Sequence, residues 1–142
     1  MAKEVFLKQA QGTTFIGKAN TSHWVVVDNS IEDGGSASGT SPKELLLISL
    51  AACTASDVIP ILKKKRSPIQ SFEMKARANE RDEFPRIFTD IYLEYIFYGD
   101  GIKKKDVEHA IELSRTKYCS VSAMLSASAK ITHSYRIEPP RP

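Results

Sequence analysis

The sequence predicts an α+β fold, a mainly antiparallel sheet in the order βββ-α-ββ-α-β with one long buried central helix. Three observations lead there. The longest apolar stretch, Ser41 to Arg66 (SPKELLLISLAACTASDVIPILKKKR), opens with helix-start chemistry. Two runs, 69–79 and 87–97, alternate apolar and polar residues with period 2. Residues 103–118 switch to helical spacing, and 129–138 alternate again.

The first third reads as three strands. Residues 5–9, 13–19 and 23–28 are rich in β-branched and aromatic side chains, with Gly12 and Asn20-Thr21-Ser22 at the junctions. Residues 28–40 (DNSIEDGGSASGT) are small, polar and glycine-containing, which predicts a mobile loop, and the Gly-Gly pair fits no phosphate-binding motif. The helix follows. Ser41 suits the cap, Pro42 the first helical position, and Glu44 closes a capping box. Residues 45–52 place apolar side chains all around the axis, the mark of a helix buried on every side. The run free of strongly polar residues ends near Thr54, short of the ~20 residues a bilayer needs, so a soluble domain with no membrane partner is expected. Pro60 predicts a kink or break. The Lys63-Lys64-Lys65-Arg66 cluster favours the negative end of the helix dipole.

Beyond it, Phe72, Met74, Ala76 and Ala78 share one strand face, and Ile87, Ile91, Leu93, Tyr95 and Phe97 share a face of the next strand. In the second helix Val107, Ala110, Ile111, Ser114 and Tyr118 fall together, while SVSAML is too short for more than a turn or two. Ile131, His133, Tyr135 and Ile137 line one side of the last strand. No repeat interrupts this order, and 142 residues suit one domain, 1–142.

Composition narrows the function. A net charge of +3 with interspersed signs gives little footing for nucleic acid; the KKKR run reads as a solvated helix end and lacks interleaved aromatics. The N-terminal MAKEVFLKQA has no apolar core of a signal peptide, and two cysteines without such a signal point to a reducing cytoplasm. His23, His109 and His133 have no metal-ligand spacing to one another or to cysteine, so neither metal nor cofactor is expected. That leaves Cys53 and Cys119, 66 positions apart. They suit two small core residues, a structural disulfide, or a reactive pair in which one thiol attacks and the other resolves. Arg115 and Lys117 precede Cys119 and favour its thiolate; Asp57, one turn beyond Cys53, works against ionising that thiol.

The segment SPKELLLISLAACTASDV, followed much later by YCSVSAML, resembles the OsmC/Ohr family (osmotically inducible protein C and organic hydroperoxide resistance proteins), in its OsmC-like branch. The likeness extends to the strand–helix order and to RIFTDIYLEYIF before the second helix. It implies an intertwined homodimer with cysteine sites at the subunit boundary. It also implies a thiol peroxidase of oxidative or osmotic stress defence, in which Cys53 attacks an organic hydroperoxide, Cys119 resolves, and an external dihydrolipoamide-type dithiol regenerates the pair. Glu44 is the candidate for the family's site glutamate, although that residue commonly stands one position earlier, where this chain has Lys43. The family's N-terminal arginine has no counterpart, since the first arginine is Arg66; Lys3, Lys8 and Lys18 are the N-terminal side-chain cations, and Arg86 or Arg115 is the candidate to replace it. The competing expectation is a non-catalytic stress-associated or small-ligand-binding protein that uses the same apolar dimer cleft.

Overall fold

The computed structural model describes residues 2–142 and resolves into two compact units, Met1–Leu46 and Leu47–Pro142.

In the first unit, β1 (Phe6–Gln11), β2 (Thr14–Lys18) and β3 (Val25–Val27) form an antiparallel sheet in that order. Gly12 reverses the chain between β1 and β2 at φ +56°, a conformation that costs glycine least. The third strand is shorter than the sequence implies, and the loop after it is tied down where mobility was expected. The buried Asp28 carboxylate accepts hydrogen bonds from the Thr13 and Thr14 hydroxyls and from the backbone N–H groups of Asn29, Ser36 and Ser38, at 2.7–3.2 Å. Led by the Thr13 hydroxyl, these donors hold the carboxyl far below the usual carboxylate range. Gly35 lets the loop close on itself, because a Cβ there would stand 2.2 Å from the Asn29 carbonyl oxygen.

The helix α1 (Pro42–Lys64) begins in this unit and runs on into the second. Its capping box forms as expected. Glu44 Oε1 accepts the Ser41 N–H at 3.0 Å, and Ser41 Oγ accepts the Glu44 N–H at 3.4 Å. Pro60 does not break the helix. The ring is exposed, so water reaches the carbonyl it frees, while Val58 and Leu62 are anchored on either side. At 23 residues, α1 is by length and composition long enough to span a bilayer, longer than its apolar run alone implied. Burial is confined to one stripe in the single chain: Leu50, Thr54, Val58 and Leu62 recur every fourth residue, whereas Leu46 (38% exposed) and Ile48 (50%) face outward.

The second unit continues with β4 (Ile69–Glu80), β5 (Phe88–Gly99), α2 (Lys104–Leu113), a single π turn (Ser114–Tyr118), α3 (Ser120–Leu125) and β6 (Lys130–Glu138). The β4–β5 pair is antiparallel, and β6 adds to β5 in parallel, the one parallel pairing among the described strands. The helical connection between β5 and β6 is long enough for that crossover. Ile91, Leu93, Tyr95 and Phe97 on β5 meet the α1 stripe and Val107, Ala110 and Ile111 of α2 in one core. Phe72, Met74, Ala76 and Ala78 of β4 and Ile131, Tyr135 and Ile137 of β6 complete it, so helices gather on the face the alternation marks as apolar. Two assignments differ. Ile87 lies outside β5 and is exposed, and Tyr118 is exposed because the π turn inserts a residue and rotates it off the face that Ser114 still occupies.

Candidate active site

The π turn places Cys119. Its backbone N–H reaches the Ser114 carbonyl at 2.8 Å, closing the wide turn, and the residue then caps α3, where its Sγ accepts the Ser122 N–H at 3.4 Å. Cys53 comes from the middle of α1, adjoining the buried Thr54. The two cysteines, distant in sequence, come together in one core cluster, close enough for Cys53 to act on the ionisation of Cys119, and both are free thiols. Cys53 is half-buried; Cys119 is 4% exposed. Burial pushes the Cys119 thiol up to about 11, and the neighbouring Cys53 thiol and the charge of Asp57 act in the same direction. The Ser122 N–H opposes them without prevailing.

That reverses the expectation from local charge. Arg115 and Lys117 do not serve the Cys119 thiolate, since Arg115 donates to His133 Nδ1 (2.9 Å) and to the Ile131 carbonyl (3.1 Å), and Lys117 lies over the Tyr118 ring. An arginine only donates, so His133 accepts at Nδ1 and carries its proton on Nε2. Burial, then the Arg115 charge, lowers the His133 pKa and keeps the ring neutral at physiological pH.

Beneath the thiols runs a chain of hydroxyls that periodicity did not reveal. Tyr95 Oη and Thr54 Oγ1 are 2.7 Å apart, Thr54 Oγ1 and Ser114 Oγ 3.0 Å, and Ser114 Oγ donates to Asp57 Oδ2 at 2.8 Å. Each hydroxyl has one proton, which fixes the direction. Ser114 spends its proton on the carboxylate, so Thr54 donates to Ser114 and Tyr95 donates to Thr54. The available signal was Thr54 itself, a polar residue at the position that an apolar stripe of period four assigns to the core.

Glu44 makes capping-box bonds to Ser41, whose N–H is the leading cause of its lowered pKa. Among the described residues, no group of three or more His, Cys, Asp or Glu side chains is placed to hold a metal ion.

A helix cysteine and a helix-capping cysteine, packed into one α+β core, define a paired-thiol domain. The chain belongs to the OsmC family: the family model described as "OsmC-like protein" matches residues 34–134. Protein YhfA of Escherichia coli K12 is 37% identical over 131 residues, 92% of this chain and 95% of that protein. A hypothetical protein from Aquifex aeolicus VF5 superposes with a TM-score of 0.87 at 31% identity, covering 99% of both chains. An organic hydroperoxide resistance protein from Elizabethkingia anophelis shares the fold at a TM-score of 0.73 and 13% identity, with 97% of each chain covered.

Proposed function

We propose that this protein is a thiol-dependent peroxidase that reduces organic hydroperoxides. The observation that carries the reading is the meeting of two free thiols, one of them, Cys119, buried and held protonated. A buried thiol held protonated is a poor nucleophile towards peroxide, so the attack falls to the more accessible Cys53, and Cys119 takes the resolving step, giving up its proton as it attacks the sulfenic sulfur. The Cys53 thiolate attacks the O–O bond; the leaving alkoxide takes a proton to become the alcohol, and Cys53 becomes a sulfenic acid. The Cys119 thiol then condenses with it, forming the S–S bond and releasing water. An external dithiol of the dihydrolipoamide type reduces the disulfide by exchange and is itself oxidised to a disulfide. A cycle regenerated this way belongs in a reducing compartment, the cytoplasm, and its role is stress defence. The fold shared with a hydroperoxide resistance protein supports the reading.

The functional unit in this reading is a homodimer. Leu46 and Ile48 leave part of α1 uncovered in the single chain, and a two-fold axis would let two such helices shield each other. On one helix, Glu44 and Cys53 are separated by about 13 Å of rise. Glu44 would therefore act on the cysteine of the other chain, so that each site draws on both subunits.

The test is a coupled assay with cumene hydroperoxide and a dithiol. Turnover is expected in the wild type and none in Cys53→Ser. Cys119→Ser should consume one equivalent and accumulate sulfenic or overoxidised Cys53 by intact mass. Equal activity in both variants, or no loss of thiol on adding peroxide, refutes the assignment and leaves a non-catalytic ligand-binding protein.

A further inference from the structure

The C-terminal end of α1 carries a second feature that thiol chemistry does not use. The helix ends in paired backbone bonds, Ser67 N–H to the Leu62 carbonyl and Arg66 N–H to the Lys63 carbonyl, both at 3.0 Å. This is the Schellman arrangement, in which the residue turning left-handed is usually glycine. Here it is Arg66, at φ +57°. A cavity of about 560 Å³ opens beside it, within the ~300–1,000 Å³ range of small-molecule sites. One part of its lining is apolar, from Ile59, Ile69 and Phe72. The other part holds Lys63, Arg66 and two serines, Ser67 and Ser71.

The polar part is unspent. The Ser67 and Ser71 hydroxyls are buried and have no hydrogen-bond partner among the described residues. Neither Lys63 nor Arg66 forms an ion pair among those residues. Gln70, also in the lining, has its amide occupied by the Arg141 backbone on both sides, at 3.0 and 2.6 Å. What remains is donor chemistry, namely an ammonium, a guanidinium and two hydroxyls, facing apolar side chains. Leaving buried hydroxyls unpaired is unfavourable, so a complementary acceptor is favoured there. The Schellman bonds already occupy the Leu62 and Lys63 carbonyls, and the side-chain cations oppose the negative end of the helix dipole.

We propose that this cavity binds a carboxylate-headed apolar molecule, such as a medium-chain acid. Its carboxylate meets Arg66, Lys63 and the Ser67 and Ser71 hydroxyls, and its hydrocarbon lies against Ile59, Ile69 and Phe72. The site is separate from the cysteines and does not depend on peroxidase activity.

Titration calorimetry of the full-length protein with decanoate, below its micelle concentration, tests this. Saturable binding is expected. It should weaken about tenfold or more in Arg66→Gly, and also weaken in Ser71→Ala. Arg66→Gly removes the guanidinium yet suits the left-handed backbone, so its melting temperature should hold or rise while binding falls. Cys53→Ser should bind as the wild type does, which separates this site from the thiols. 1-Decanol should bind at least tenfold more weakly, and inorganic phosphate alone should give no measurable binding. No decanoate binding, equal affinity for decanol, phosphate binding as tight as decanoate, or an unchanged affinity in Arg66→Gly overturns the proposal.

Discussion

Replacing Thr54 with valine would remove one oxygen at nearly constant shape and interrupt the hydroxyl chain at its centre. Two hydrogen bonds go, the 2.7 Å bond to Tyr95 and the 3.0 Å bond to Ser114. Their costs differ. Ser114 keeps its bond to Asp57, so that side forfeits an ordinary hydrogen bond of about 0.5–1.5 kcal/mol. Tyr95 is fully buried, and its hydroxyl would be left without the one side-chain partner it has, at about 1–3 kcal/mol. Together the expected loss is about 1.5–4.5 kcal/mol. With a slope of about 2 kcal/mol per M, the urea midpoint would move by about 1–2 M at fixed protein concentration. A double-mutant cycle separates the two parts, since Tyr95→Phe in the Thr54→Val background removes the orphaned hydroxyl and should recover much of its share. A loss below about 0.5 kcal/mol, or strictly additive effects of the two substitutions, would refute a directed chain through Thr54.

Other outcomes follow from the same structure. In a Cys53→Ser background, where burial still acts, Cys119 should alkylate slowly at pH 7 and ionise above the range of an ordinary thiol; alkylation at the rate of a free thiol would show that burial does not hold it protonated. Because its folded-state pKa is raised, its contribution to stability is complete below the unfolded thiol value of about 8.5 and is lost as pH climbs towards 11, which denaturation at stepped pH would register. Asp28 behaves in the opposite sense. Its pKa is depressed on folding, so its contribution is present above about pH 4 and drains away only in stronger acid; Asp28→Asn, setting an amide against five donors, should raise the hydrogen-exchange rate of residues 29–38 at neutral pH. Pro60→Ala restores a helix N–H at an exposed position and should stabilise the protein by about 1–3 kcal/mol in urea; destabilisation would mean that the helix needs the proline ring.

Much of this molecule is legible in local chemistry. The Ser41–Glu44 capping box is a four-residue signal, and it forms as written. Alternation along residues 69–79 and 91–97 identifies the sheet face that becomes the core, because side chains in a strand must point to opposite sides. The motif around Cys53, together with the distant one around Cys119, sufficed for the family. What the sequence could not decide depends on elements meeting. Local charge favours a Cys119 thiolate, yet burial, a resource of the whole core, overrides it and leaves a protonated thiol, while Arg115 is drawn to His133 on a strand that begins 15 residues later. Periodicity cannot foresee a π turn, and that one inserted residue delivers Cys119 to Cys53 and moves Tyr118 out of the core. Nor could spacing reveal that Tyr95, Thr54, Ser114 and Asp57 form one directed chain, for they come from a strand and two helical segments and are joined only by packing. Propensity and period are properties of neighbours along the chain. Proton placement and thiol pairing are properties of neighbours in space, which exist only once the helices have closed over the sheet.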